Sequence, residues 1–71
     1  MNELSKDITD CIKAYGSASF ATICDALHLT PDQVQYDLGM LVHNGIIYRS
    51  RANGINIYTL ASELNHASPN P

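Results

Sequence analysis

The sequence is poor in charged residues, in cysteine and in long apolar runs. Only 15% of its 71 residues are charged and 45% are hydrophobic, which is the length and composition of one small globular domain. No apolar run approaches the roughly 18 residues that a membrane-spanning helix needs. The first residues also lack the basic and apolar regions of a secretory signal. We therefore expect a soluble, cytoplasmic protein with no membrane partner.

The two cysteines, Cys11 and Cys24, are too few for a disulfide framework and are expected to be thiols in the core. Cys24 and His28 stand four residues apart, a spacing that could place two metal ligands on one helix. No nearby Cys-x-x-Cys or histidine pair supplies the other ligands, so we expect no metal and no cofactor. The sequence also lacks a glycine-rich phosphate loop and a nucleophile elbow, which argues against an enzyme.

Basic residues are few, since four Lys and Arg against seven Asp and Glu give a net charge of −3. This balance argues against nucleic-acid binding driven by net charge alone. The distribution is uneven, however, because Arg49 and Arg51 share the segment 46–71 with a single acidic residue, Glu63. Both arginines therefore lie in the less acidic part of the chain.

Apolar residues at helical spacing predict two N-terminal helices. The apolar face of the first consists of Leu4, Ile8, Cys11, Ile12 and Tyr15. Gly16 is expected to end it. A second stripe of Ile23, Cys24 and Leu27 predicts a short helix over about residues 20–28.

The strongest local signal is the start of a third helix at residues 30–33. Thr30 is a favoured N-cap, Pro31 suits the first helical position, and the Gln33 side chain can return to the amide of Thr30. The helix is predicted over 31–43, with Asn44-Gly45 as its end. Its buried stripe is expected to be Val34, Leu38, Leu41 and Val42. Its exposed face is expected to be Asp32, Gln33, Gln35, Tyr36, Gly39 and His43.

Beyond Gly45 the hydrophobic period changes to two. β-Branched and aromatic residues in 46–60 flank an Asn53-Gly54 turn signal, which predicts a two-stranded hairpin. The fold is thus predicted to be mainly α with a small β-hairpin: a winged helix-turn-helix of three helices and a two-stranded wing, over residues 1–61. Residues 62–71 contain one large apolar side chain and two prolines and are expected to form a flexible C-terminal tail.

Framework and exposed positions across residues 20–60 carry a resemblance to a known group. They are the segment 21–27, the Leu29-Thr30 turn, Gln33, Tyr36, Leu38, Gly45 and the Arg49-Ser50 pair. In these positions the chain resembles small bacterial winged-helix regulators, most closely the PapI and FaeA type of fimbrial phase-variation regulator. The resemblance implies that the third helix enters a DNA major groove and that the protein acts beside a second DNA-bound regulator. The sequence departs from the family pattern at Gln35 and Asp37, where basic or aromatic groups are usual.

We therefore expect a DNA-binding regulator or co-regulator, with helix 31–43 in the major groove and wing 46–60 on the backbone or minor groove. The candidate contact residues are Thr30, Gln33, Gln35, Tyr36, Arg49, Ser50, Arg51 and Asn53. A glutamine can read an adenine edge, although the capping box already occupies Gln33. Arg49 and Arg51 alternate along a strand, so both can reach one phosphate ridge, or they can be solubilising charges on an edge strand.

Other side chains leave alternatives open. Tyr36 can contact phosphate or a thymine methyl, or pack over the wing or a dimer partner. The carboxylates of Asp32 and Asp37 would repel phosphates. With so few cations, binding to duplex DNA should be weak for the protein alone, and a homodimer or a second DNA-bound regulator would supply the missing affinity. The alternative function is a winged-helix protein-interaction module without DNA contact, since the third helix has no Lys or Arg.

Overall fold

The chain folds into helices packed against a small antiparallel sheet, and the computed structural model describes residues 3–63. The elements are α1 Glu3–Tyr15, β1 Ala18–Ser19, α2 Phe20–Leu27, α3 Pro31–His43, β2 Ile47–Ala52 and β3 Ile55–Leu60. The predicted order of the helices, the short link between α2 and α3 and the C-terminal hairpin are confirmed. Residues 61–63 have helical backbone, while 64–71, most of the predicted tail, lie outside the described residues. The domain boundary at 61 stays a prediction.

Helix α3 begins where the sequence predicts because its first turn is capped reciprocally. The Gln33 backbone N–H donates to the Thr30 hydroxyl at 3.4 Å, and the Thr30 backbone N–H donates to Oε1 of Gln33 at 2.9 Å. The Thr30 hydroxyl donates to the same Oε1 at 3.1 Å. The Gln33 N–H also donates to the Thr30 carbonyl at 3.1 Å, and the Thr30 N–H, which the helix itself leaves unpaired, is satisfied by the Gln33 side chain.

The core lies between the three helices and the inner face of the hairpin. Its fully buried side chains are Ile8, Ile12, Ile23, Val34 and Ile47. Each such residue stabilises the fold by about 1.5–3 kcal/mol relative to an exposed one. Two residues at the edge of this core stand out. Tyr15, on the apolar face of α1, is 59% exposed at the helix end, whereas Asp37, one of the two carboxylates expected to repel phosphates, is only 8% exposed. Asp37 follows Val34 by three positions, which puts it on the buried side of α3.

The sheet has three strands, in the order β1-β3-β2, rather than the two expected from the sequence. Ala18 pairs with Tyr58 and Ser19 with Ile57, so the segment between α1 and α2 adds a strand to the hairpin. A strand of two residues is too short to show an alternating pattern, which is why the sequence did not predict it. The addition makes β3 the central strand and leaves β2 at an edge.

The hairpin turn has the predicted chemistry. Asn53 and Gly54 both adopt positive φ, at 54° and 79°, the conformation that a two-residue turn needs to match the twist of its strands. The pairing runs from Ala52 with Ile55 at the turn to Ile47 with Leu60 at the base. The hairpin is therefore in register along its whole length.

We predict that Thr30→Ala lowers the free energy of unfolding by about 1 kcal/mol, because α3 loses its N-cap acceptor. Thr30→Ser keeps a hydroxyl at the same place and is the matched control, which should remain close to the wild type. Urea unfolding followed by far-ultraviolet circular dichroism measures both variants. Equal stability of the two variants would contradict a stabilising role for the cap.

Candidate nucleic-acid interface

An open groove of about 1000 Å³ runs between α3 and the hairpin, and the start of α2 contributes to its lining. Helix α3 lines it with Gln35, Gly39 and His43, which follow one another at a spacing of four residues. The hairpin lines it with Arg49 and Asn56, among others. The groove is the concave surface at which the third helix and the wing meet.

The structure brings only two of the predicted contact residues into this groove, Gln35 and Arg49. All eight predicted residues are exposed, but six of them lie outside the groove lining: Thr30, Gln33, Tyr36, Ser50, Arg51 and Asn53. Gly39 and His43 also line the groove; the sequence predicts both on the exposed face of α3 but indicates no role for them. Their four-residue spacing from Gln35 is the signal that could have identified them.

The two glutamines of α3 differ in availability. Oε1 of Gln33 accepts hydrogen bonds from both the backbone and the hydroxyl of Thr30. A bidentate pair with adenine needs both the oxygen and the nitrogen of the amide, so Gln33 is poorly placed for it. No hydrogen bond is recorded for the Gln35 side chain within residues 3–63. Of the two, Gln35 therefore has the free amide.

The two arginines of β2 lie on the same face of the hairpin, paired with Tyr58 and Asn56 across the strands. Arg51 is held at the turn, since its guanidinium donates to the Gly54 carbonyl at 3.1 Å and to Oδ1 of Asn56 at 3.4 Å. Within the described part of the chain neither arginine forms an ion pair. Both positive charges are thus uncompensated by a carboxylate.

A second exposed surface of α3 lies outside the groove lining. Asp32, Tyr36 and Met40 follow one another at a spacing of four, and Tyr36 is 72% and Met40 42% exposed. Asp37, expected beside them as a repulsive carboxylate, is buried instead. The exposed surface of α3 therefore carries one carboxylate, that of Asp32.

The lysines lie on α1, outside the groove lining. Lys6 forms an ion pair with Asp10 at 2.9 Å between Nζ and Oδ2. The hydrogen bond to the Asp10 carboxylate raises the pKa of Lys6, and the negative charge of that carboxylate raises it further. The charge of Lys6 is thus partly neutralised within its own helix.

The spacing of Cys24 and His28 does not create a metal site in the residues described. Cys24 is buried, whereas His28 is the C-cap of α2, exposed and at a φ of 56°. Its backbone N–H donates to the Asp25 carbonyl at 3.3 Å. Within residues 3–63 no three His, Cys, Asp or Glu side chains lie close enough together to hold a metal ion. His28 has a backbone role at the end of α2.

No protein-family model and no curated protein matches the sequence. Solved structures are similar in fold. The Zα domain of PKZ from Carassius auratus, determined in complex with Z-DNA, has a TM-score of 0.73 and 19% identity over 82% of this chain and 92% of that domain. BpsR of Bordetella bronchiseptica has a TM-score of 0.80 and 11% identity over 100% of this chain and 65% of BpsR. The antimony-specific transcriptional repressor AntR has a TM-score of 0.76 and 16% identity over 92% of this chain and 60% of AntR.

These similarities confirm the predicted fold, a mainly helical winged helix-turn-helix with a small hairpin wing. The chain spans less than two thirds of the length of BpsR and of AntR. The resemblance to PapI and FaeA-type regulators stays a prediction. Among the described residues no helix is both long and apolar enough to cross a bilayer.

We predict that Cys11 and Cys24 react slowly with a disulfide reagent such as Ellman's reagent in the folded protein at pH 8. Burial raises the pKa of both thiols, and for Cys24 the neighbouring Asp25 charge raises the pKa further. Since the thiolate is the reactive form, reaction should need a higher pH than for free cysteine. Absorbance at 412 nm, with and without urea, follows the reaction. Equally fast reaction in the folded and unfolded protein would contradict the burial of these thiols.

Proposed function

We propose that the chain is a DNA-binding transcriptional regulator in which α3 occupies the major groove and the wing, residues 46–60, contacts the backbone or minor groove. The observation that carries the proposal is that Gln35 of α3 and Arg49 of the wing line the same groove. A base-reading amide and a phosphate-binding guanidinium are thereby presented on one side of the molecule. The Z-DNA complex of the Zα domain, the DNA binding of BpsR and the repressor AntR, all similar in fold, support it.

On this proposal α3 reads bases chiefly through Gln35. Its amide is free to donate and accept together, which is what pairing with an adenine edge requires. Thr30 and Gln33 lie at the start of the helix, where Nε2 of Gln33, which the capping box leaves free, can donate to a phosphate. Tyr36 is exposed enough to reach a phosphate or a thymine methyl.

The wing supplies the positive charge. Arg51 is anchored at the turn by Gly54 and Asn56, so its guanidinium is ordered before DNA arrives. Ser50 and Asn53 flank it on the exposed hairpin and are the polar groups that can hydrogen-bond to the backbone. Contacts of this kind position the protein on the duplex, while α3 supplies the sequence preference.

The proposed binding is weak for a single copy. The two wing arginines allow the neutralisation of about two phosphates, since both lysines lie on α1 outside the groove lining and the net charge is −3. A homodimer, or a second regulator already on the DNA as in the PapI and FaeA type, would add the missing contacts. This makes a co-regulator the more specific form of the proposal.

A protein-interaction module is the second candidate function, and the surface formed by Tyr36 and Met40 favours it. Both side chains are exposed on α3, a helix with no Lys or Arg. Exposed aromatic and methionine side chains are frequent at protein interfaces. On this alternative, duplex DNA would leave the protein unaffected even at low salt.

We predict that Arg49→Ala and Arg51→Ala each weaken binding to every duplex tested, because each removes a phosphate contact. The slope of log affinity against log salt concentration should fall in magnitude by about one for each arginine removed. Fluorescence anisotropy with a labelled mixed-sequence duplex at several salt concentrations measures this. Lys13→Ala, which removes one charge from α1, is the matched control and should leave the slope nearly unchanged. If Arg49→Ala and Arg51→Ala change the salt slope as little as Lys13→Ala does, wing contact is ruled out.

We predict that Gln35→Ala changes sequence preference more than overall affinity. Loss of one bidentate pair should reduce discrimination between the preferred and a mixed-sequence duplex by about 1–3 kcal/mol. The preferred sequence comes from selection on a randomised duplex with the wild type. Competition titrations then give the discrimination ratio of each variant, with Arg49→Ala as the comparison that lowers both affinities together. An unchanged ratio in Gln35→Ala would show that α3 does not read bases through this residue.

A further inference from the structure

Gly39 lies in the middle of α3 and has no packing reason to be glycine. A Cβ built on it meets no heavy atom within 4 Å, and its φ is not in the left-handed range. An alanine methyl group would therefore meet no steric obstacle there in the isolated protein. Glycine inside a helix is less stable than alanine, since it loses more backbone freedom on folding.

Gly39 is one of the residues that line the groove. It lies one turn from Gln35 and one turn from His43, and all three line the groove together with Arg49. The missing side chain leaves the backbone of α3 open to the groove at this point. Glycine is commonly found where a ligand has to approach the protein backbone closely.

The groove is also free of acidic groups. The chain has seven Asp and Glu, yet no carboxylate is among the described residues that line the groove. Arg49 is the charged residue that lines the groove, and His43 of α3 also lines it. A polyanion is the ligand that such a surface favours, in a protein whose overall charge would repel one.

We propose that Gly39 is a DNA contact position: its missing side chain lets one sugar-phosphate strand of the duplex approach the α3 backbone, while Arg49 binds the phosphates of the same strand. This inference rests on the proposed function. It identifies Gly39 as the position at which steric fit of the strand, rather than charge, determines binding. The strand is thus held between the helix and the wing.

The test compares Gly39→Ala and Gly39→Leu with the wild type. Gly39→Ala should raise Tm by about 2–8 °C, since it removes the helix penalty of glycine. The same change should weaken binding to a mixed-sequence duplex about tenfold, because the added methyl occupies space that the strand needs, and Gly39→Leu should weaken it further. A protein that is more stable and yet binds less well separates a contact role from a folding role. Met40→Ala, next along α3 but outside the groove lining, is the matched control and should bind like the wild type.

Combining the groove substitutions tests whether the two residues hold one strand. If Gly39→Leu already displaces the strand from Arg49, adding Arg49→Ala should weaken binding by less than the product of the separate losses. Wild-type affinity in both Gly39 variants, or independent effects of Gly39→Leu and Arg49→Ala, would overturn the inference while leaving DNA binding in place. Absence of binding by the wild type at low salt would instead overturn the proposed function together with the inference.

Discussion

Strand β3 is paired on both sides, and the position of the groove depends on this double pairing. Tyr58 pairs with Ala18 of β1 on one side and with Arg49 of β2 on the other. Its side chain is 6% exposed, so the pairing is made at the edge of the core. Because β1 continues directly into α2 at Phe20, the sheet ties the helix-turn-helix to the wing. Arg49 and α3 are thereby held across the groove by the fold itself rather than by a flexible loop.

The charge distribution matters more than the net charge for what this domain can bind. Three of the seven acidic side chains lie on α1 together with both lysines, and one of them, Asp10, is paired with Lys6. Asp37, the second carboxylate of α3, is withdrawn from the exposed surface by burial. The groove is left with an arginine and a histidine. Long-range repulsion of a polyanion by the net charge and local attraction by Arg49 at the groove then oppose each other.

The parts of the fold that could be predicted are those that local chemistry specifies. The Thr30-Gln33 capping box fixes the start of α3, and Asn53-Gly54 fixes the hairpin register, each within a few residues of sequence. Strand β1 could not be predicted, because Ala18 and Ser19 are ordered by pairing with residues about 40 positions away. The candidate site could be predicted only in part, because it too depends on contacts between distant segments of the chain. Residue types could single out Gln35 and Arg49, but their shared groove, and the place of Gly39 in it, depend on tertiary packing.

Helix α3 combines two opposing local preferences. Its capping box stabilises the first turn by about 1 kcal/mol, and the glycine at its centre offsets about 0.5–1 kcal/mol of that. Elsewhere in α3 local preference and packing agree, since Val34, Leu38 and Leu41 form a regular buried stripe. In a small domain, whose margin of stability is narrow, such a conflict is expected to be kept only where it serves a function. The glycine at the centre of this conflict lines the same groove as Arg49, which is where the proposed ligand needs open backbone.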